Sequence, residues 1–256
     1  MISVKGLKFS YGNNFKLNIE NLKIEKGDII SIIGPNGSGK STLIKIFSGI
    51  LRNYSGDVYI DNEDLKSYNY RELSKKIAVV PQEFNTLFDY DIESIISTAR
   101  IPYSKRISFF ESIEDRKIIE EVINLVGLKN LKNKPFLLLS GGEKQKVMIA
   151  RAFAQKTPVL LLDEFSSHLD PGYTQNLLKL VRAMVRKENK TVLAVFHDVN
   201  NAALFSDKII VMNEGNIKYV GTPKDIFKES IMKEIFDIEV YIINHPLKNI
   251  PQILFK

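Results

Sequence analysis

The segment Gly34-Pro35-Asn36-Gly37-Ser38-Gly39-Lys40-Ser41-Thr42 has residue types and a spacing that can hold a chain of phosphates. It fits the pattern G-x-x-x-x-G-K-[ST]. Glycines let the backbone curl so that successive N–H groups face one anion. The Lys40 ammonium neutralises β- and γ-phosphates, and the Ser41 hydroxyl is placed for Mg²⁺. A helix opening at this point adds its N-terminal dipole. The ligand class is a nucleoside triphosphate. A second cluster, Pro158-Val159-Leu160-Leu161-Leu162-Asp163-Glu164, is an apolar strand ending in two carboxylates. Ligands of open α/β sheets sit beyond the carboxyl ends of the strands. Asp163 can therefore reach the same Mg²⁺, and Glu164 can orient or deprotonate a water aimed at the γ-phosphate. A third stretch, Leu139-Ser140-Gly141-Gly142-Glu143-Lys144-Gln145, opens an amphipathic helix running to about Gln155. It has two readings. Ser140 with Glu143 three residues on is a capping box, while a hydroxyl and two glycine N–H groups at a helix start form an anion site.

Elements that could position these groups follow from hydrophobic period. Ile29 to Ile33 reads as a buried strand feeding the loop, and Thr42 to Ser48 as a short helix closed by Gly49. Upstream, Ile2, Val4, Leu7 and Phe9, then Phe15, Leu17, Ile19, Leu22 and Ile24, alternate as half-exposed antiparallel strands. Val58 to Ile60 followed by Asp61-Asn62 begins a hairpin, and Ile77 to Val80 is a strand ended by Pro81. From about Asn85 to Pro135 the spacing becomes helical, notably Ile92 to Ile96 and Asp115 to Val126 with Gly127 as C-cap. Val159 to Leu162 and Val192 to Phe196 flank a helix from Pro171 to Lys187. Near-continuous apolar strands alternating with helices indicate a parallel sheet buried on both faces. Asn213 to Asn216 is the turn of a late hairpin, and the tail returns to short strands and helices.

Bulk composition narrows the class. A chain of 256 residues with 44% hydrophobic and 26% charged content is an ordinary globular chain. No apolar run approaches the ~18 residues of a membrane span, and the start lacks a signal-peptide pattern, so an intracellular protein is expected. Zero cysteines exclude disulfides and thiolate metal sites, and three histidines leave little for a transition-metal centre. The net charge of +6 permits contact with nucleic acid or anionic lipid, yet the basic residues interleave with 30 acidic ones, the pattern of a solvated, Lys-rich surface.

In this order, the phosphate loop, the Ser140 segment and the Asp163-Glu164 strand resemble the ATPase subunit of ABC transporters, over essentially the whole chain. Leu139 to Gln145 is similar to the family's signature motif. The resemblance implies further residues. Gln82, after the strand Ile77 to Val80, matches the Q-loop glutamine that contacts Mg²⁺ and water and senses the membrane subunit. Ser167-His168-Leu169-Asp170 resembles the D-loop, with His168 where Ala is most frequent. His197 matches the switch histidine on the γ-phosphate, and Tyr11 the aromatic that stacks on adenine. The implied fold is α/β: a P-loop NTPase core with a mainly parallel sheet, an N-terminal antiparallel β subdomain and an inserted α-helical subdomain. Residues 1–84 and 157–256 would form the core and β subdomain, and 85–156 the helical subdomain with the signature, within one ABC domain.

The implied mechanism pairs two copies head to tail with ATP between them. Each phosphate loop faces Ser140-Gly141-Gly142 of the other copy, with Asp170 of the D-loop nearby. Lys40, Mg²⁺, Gln82 and His197 position and neutralise the phosphates while Glu164 handles the water. A single ABC domain without a span implies separate transmembrane permease subunits, a peripheral place on the cytoplasmic side of the membrane, and an indirect link to an extracytoplasmic solute-binding protein. Ala99-Arg100-Ile101-Pro102-Tyr103 is similar to a Gly-Arg-x-Pro-[Tyr/His] segment of importers for iron-siderophores, haem and cobalamin, with Ala99 for the usual Gly. Importers for zinc, manganese or molybdate share much of the pattern. Aromatic residues Phe84, Phe88, Tyr90, Tyr103, Phe109 and Phe110 form either a groove for a permease helix or the subdomain's own core. Nucleic-acid or ribosome ATPases with these motifs carry long coiled-coil arms or two ABC domains, and neither is present in this sequence. No nucleic-acid partner is expected.

Overall fold

The computed structural model describes residues 1–12, 15–84, 89–104, 112–167 and 169–256. The chain begins with β1 (Ile2–Tyr11), β2 (Phe15–Ile24), β3 (Ile29–Ile33), α1 (Lys40–Phe47), β4 (Ser55–Ile60), β5 (Glu63–Asp64), α2 (Tyr70–Leu73) and β6 (Ile77–Val80). It continues through α3 (Ile92–Ser97), α4 (Ile113–Leu125), α5 (Gly141–Ala154), β7 (Val159–Asp163), α6 (Pro171–Lys187), β8 (Thr191–Val195) and α7 (Val199–Phe205). It ends with β9 (Lys208–Asn213), β10 (Asn216–Gly221), α8 (Pro223–Ile226), α9 (Glu229–Phe236), β11 (Val240–Asn244) and β12 (Pro251–Phe255). Among the described residues no helix is long and apolar enough to cross a membrane.

Six strands form the central sheet in the order β10-β9-β3-β8-β7-β6. The pairs from β9 to β6 are parallel and only β10 runs antiparallel, on β9. Every residue of β3, β7 and β8 is buried, as a parallel sheet covered on both faces requires. Alternation then splits these strands between two cores. Ile30, Ile32, Leu161, Leu193 and Val195 join a cluster with α1 and the antiparallel sheet β2-β1-β4-β5. Ile29, Ile33, Leu160, Leu162, Val192 and Ala194 join the cluster that contains α3 to α7 and the C-terminal elements.

The expected elements are present, with the first helix starting at Lys40 rather than Thr42. Gly49 and Gly127 end α1 and α4 with positive φ, the C-cap role that needs no Cβ. Segment Ala99 to Tyr103 is a 3-10 turn that ties the helical layer together. Arg100 pairs with Asp115 on α4 at 2.6 Å and donates to the Ala154 carbonyl at the end of α5 at 2.9 Å. Tyr103 donates to the Gln155 carbonyl at 2.8 Å, and the Gln155 amide donates to Ile77 O at 3.0 Å at the start of β6. Of the aromatic set, Phe84 packs edge-on against Phe136 and Tyr103 is used as just described, while Tyr90 is exposed. Phe88, Phe109 and Phe110 lie outside the described residues.

The turn between β9 and β10 braces the phosphate loop. Gly215 N–H donates to Ser38 O at 3.1 Å, and Asn18 N–H donates to Gly215 O at 2.8 Å. Gly215 has φ +73°, and a Cβ there would overlap the Lys16 carbonyl. Gly215→Ala is therefore expected to cost about 1–3 kcal/mol by overpacking. At ~2–4 °C per kcal/mol, that is a Tm loss of roughly 2–12 °C in a thermal melt. An unchanged melt would mean that the turn moves aside freely.

Candidate functional site

The phosphate loop leaves β3 through Gly34 at φ +152°, where a Cβ would overlap the Met212 carbonyl of the neighbouring β9. Gly37 and Gly39 also have positive φ, at +78° and +104°. Gly39 is the N-cap of α1 and offers no side chain, so no side-chain cap occupies the first N–H groups of the helix. A Cβ at Gly39 would press on Leu17 and Phe15 of β2, so the antiparallel sheet fixes the loop from one side. Lys40 Nζ donates to Gly34 O at 2.9 Å and Pro35 O at 3.0 Å. Burial pushes its ammonium below the usual lysine pKa, opposed by the charges of Glu164 and Asp163. The Ser38 hydroxyl is buried and has no hydrogen-bond partner among the described residues. Pro35, Asn36 and Thr42 complete the loop and stand at least partly accessible.

Three neighbouring parallel strands deliver the rest to one edge. Val80 pairs with Leu162 and Asp163 with Val195, so the chain just past β6, β7 and β8 emerges side by side. Asp163 ends β7, and Ser41 Oγ donates to its Oδ1 at 3.0 Å. Burial pushes the Asp163 carboxyl up, the Ser41 hydrogen bond holds it back, and the Glu164 charge adds to the rise. Ser41 and Asp163 thus present hard oxygen donors at the foot of the loop. Among the described residues no group of three or more His, Cys, Asp or Glu side chains could hold a metal ion by itself.

Glu164 turns out of the strand with φ +48°, a left-handed conformation that non-glycine residues rarely adopt. The turn aims its carboxylate between two neighbours. Gln82 Nε2 donates to Oε2 at 2.7 Å, and His197 Nε2 lies 2.8 Å from Oε1. The Glu164 side chain is buried while the His197 ring is half exposed. Beside Glu164 and His197 is a cavity of about 280 Å³ bounded also by Ser167, Leu169, Gln175 and Asn201.

The remaining expected residues are used elsewhere in the structure. Ser140 caps α5 in a complete capping box: Glu143 N–H donates to Ser140 Oγ at 3.3 Å, and Ser140 N–H to Glu143 Oε2 at 2.8 Å. Among the described residues no hydrogen bond joins Ser140, Gly141 or Gly142 to the phosphate loop. A Cβ at Gly142 would lie 2.5 Å from the Tyr173 ring, so this glycine lets α5 approach the start of α6. Asp170 caps α6 by accepting from Tyr173 N–H at 2.8 Å. His168 lies outside the described residues. Tyr11 is exposed and stands edge-on to Phe9, 4.7 Å between ring centroids, with Phe15 6.1 Å away. Phe15 was not anticipated at the site. Its only sequence signal is strand alternation, which assigns a face and not a neighbour.

A glycine loop feeding a helix, a buried lysine, a serine–aspartate pair and a glutamate held at the end of the next-but-one strand define a P-loop nucleoside triphosphatase. The ABC transporter family model matches residues 17–167, more than half of the chain, and the chain belongs to that family. It is 33% identical over 250 residues to the iron(3+)-hydroxamate import ATP-binding protein of Bacillus subtilis, covering 98% of this chain and 93% of that protein. The fold superposes with a TM-score of 0.85 on a chain described as a metal-chelate type ABC transporter in an inward-facing conformation. That match is 28% identical and covers 100% of this chain and 98% of that one. A dimeric ATP-binding cassette in a post-hydrolysis state, bound to ADP and Pi, matches with a TM-score of 0.74 at 29% identity, covering 87% and 98% of the two chains. The protein binds ATP and is an ATPase.

Proposed function

We propose that the chain is the ATP-hydrolysing subunit of an importer for a metal chelate, such as an iron-siderophore, haem or cobalamin. It would work on the cytoplasmic face of the membrane with separate permease subunits that carry the solute. The observation that carries the catalytic part is the convergence of Ser41–Asp163 and Gln82–Glu164–His197 at one sheet edge. The transport part is supported by the match to the hydroxamate importer's ATP-binding protein and to the metal-chelate transporter fold.

Lys40 and the backbone N–H groups of the loop Gly34 to Thr42, Pro35 having none to give, bind the phosphates, with the adenine on Tyr11. Ser41, Asp163 and Gln82 are the residues that would hold Mg²⁺. All three offer oxygen, which suits a hard cation that keeps water and phosphate oxygens as its other ligands. The ion would neutralise charge on the phosphates when bound. Glu164 orients and deprotonates the attacking water, and His197 contacts the γ-phosphate. Ser140, Gly141 and Gly142 act on the ATP of a second copy, with Asp170 beside them. Residues 1–84 and 157–256 act as the core and β subdomain, with 85–156 as a helical subdomain carrying the signature.

A site completed by a second copy makes turnover depend on protein concentration. Hydrolysis of ATP–Mg²⁺ by the purified chain is expected to rise more steeply than linearly with concentration in the dilute range. A linear rise together with permease-independent monomers in ATP would overturn the head-to-tail reading. Stimulation by DNA or RNA would overturn the transport reading.

A further inference from the structure

His197 leaves β8 two residues beyond Val195, and Asp198 caps the helix that follows by accepting from Asn201 N–H at 2.9 Å. That helix, α7, has seven residues. Two turns of helix have little stability of their own and depend on what packs around them. Its inner side is fixed by Phe205, which lies 5.7 Å from Phe165 and 5.3 Å from Phe196, centroid to centroid. Gln175 on α6 holds Asn201 at 2.7 Å. Its other side is fixed by the C-terminal ribbon. The Asn200 amide donates from Nδ2 to Ile253 O at 3.0 Å and accepts at Oδ1 from Ile253 N–H at 2.7 Å.

The geometry of the ribbon explains why an amide is used. β11 and β12 pair antiparallel with Ile242 opposite Ile253. The bonds Lys256 N–H to Glu239 O, 3.1 Å, and His245 N–H to Ile250 O, 2.8 Å, set the phase of the ladder. In that phase Ile253 belongs to a non-hydrogen-bonded pair, so its N–H and C=O both point outward from β11. A primary amide carries one donor side and one acceptor side, and it replaces the missing strand at that residue. Ile253 and Val240 are buried in the same cluster as α7, so the ribbon is anchored rather than loosely attached.

We infer that the C-terminal ribbon holds the switch histidine in register, with Asn200 as the positioning residue. The inference rests on the reading of His197 as the γ-phosphate contact. His197 has a half-exposed ring whose partner is Glu164 at 2.8 Å. Its aim is therefore set largely by the backbone entering α7, three residues before the amide clip. Releasing the clip lets α7 shift and spoils the aim of His197 without touching the phosphate loop.

The test uses the full chain, assayed for ATP hydrolysis well below its melting transition. Asn200→Ala removes both hydrogen bonds. Asn200→Asp keeps the acceptor for Ile253 N–H but sets a carboxylate oxygen against Ile253 O, so a folded alternative exists if the first variant is unstable. In either variant kcat is expected to fall about tenfold, the order set by one or two neutral hydrogen bonds, with the KM for ATP unchanged within about twofold. In the His197→Ala background, Asn200→Ala is expected to cost nothing further, because residues acting through one another are non-additive. Multiplying losses, or a normal kcat in both Asn200 variants while His197→Ala is impaired, would overturn this inference alone. Full turnover in His197→Ala would overturn the role of His197 and the inference with it.

Discussion

Glu164→Gln is expected to lower ATP turnover by about 10²–10⁴-fold, the usual worth of a positioned general base, while ATP binding survives. The geometry favours a clean result. Glutamine has the same shape, and Glu164 needs only to accept from Gln82 at 2.7 Å and meet His197 at 2.8 Å. The amide oxygen still accepts from Gln82, and the amide NH₂ donates to His197 Nε2 with the ring proton on Nδ1. The groups proposed to hold the phosphates, Lys40 and the loop N–H groups, stand on other elements. ATP should therefore bind, fail to react, and hold two copies together. Phosphate release measures the first effect, and size-exclusion chromatography in ATP–Mg²⁺ the second. Near-normal turnover would remove Glu164 from the chemistry. Lost binding would make it a structural residue of the sheet edge.

The parts of this site differ in how far they could be read from sequence, for physical reasons. The phosphate loop is contiguous, so its glycines, Lys40 and Ser41 announce themselves by spacing. Asp163 and Glu164 are legible because an apolar run must end somewhere and two carboxylates mark that end. Buried parallel strands were legible as continuous apolar runs, yet which face each residue takes was not. Only the structure divides Ile29 and Ile33 from Ile30 and Ile32. Gln82, His197 and Tyr11 carry no local pattern and are named by resemblance alone. Ser140 has two uses in sequence, and the structure displays the capping one; Asp170, named by resemblance as part of the D-loop, caps α6. Least legible are long-range pairs between ordinary residues. Asn200 meets Ile253 across 53 positions, and Gly215 braces Ser38 from a turn that looks like any hairpin tip. Such pairings come from how elements far apart in the chain pack together, which no local window contains.

Lys40→Met is expected to leave the fold standing and to remove the response to ATP. The lysine is 5% exposed, and burial already disfavours its charge. Methionine fills a similar volume without that desolvation cost. The loss is two hydrogen bonds to Gly34 O and Pro35 O, both on a loop only partly buried. These changes oppose each other, so the Tm without nucleotide should move by no more than about 4 °C. Binding has no such offset. The phosphates lose a charge-assisted donor, worth about 1.5–3 kcal/mol for each hydrogen bond to a charged group, and affinity should fall about 100-fold. At an ATP concentration of about 100 times the wild-type Kd, the wild type gains about 2.7 kcal/mol, or roughly 5–10 °C. The variant at the same concentration gains only about 0.4 kcal/mol, or ~1 °C. Differential scanning fluorimetry with and without ATP–Mg²⁺ separates the outcomes. A collapsed melt with the ATP shift intact would make Lys40 a brace for the loop, and phosphate binding would then fall to the backbone N–H groups alone.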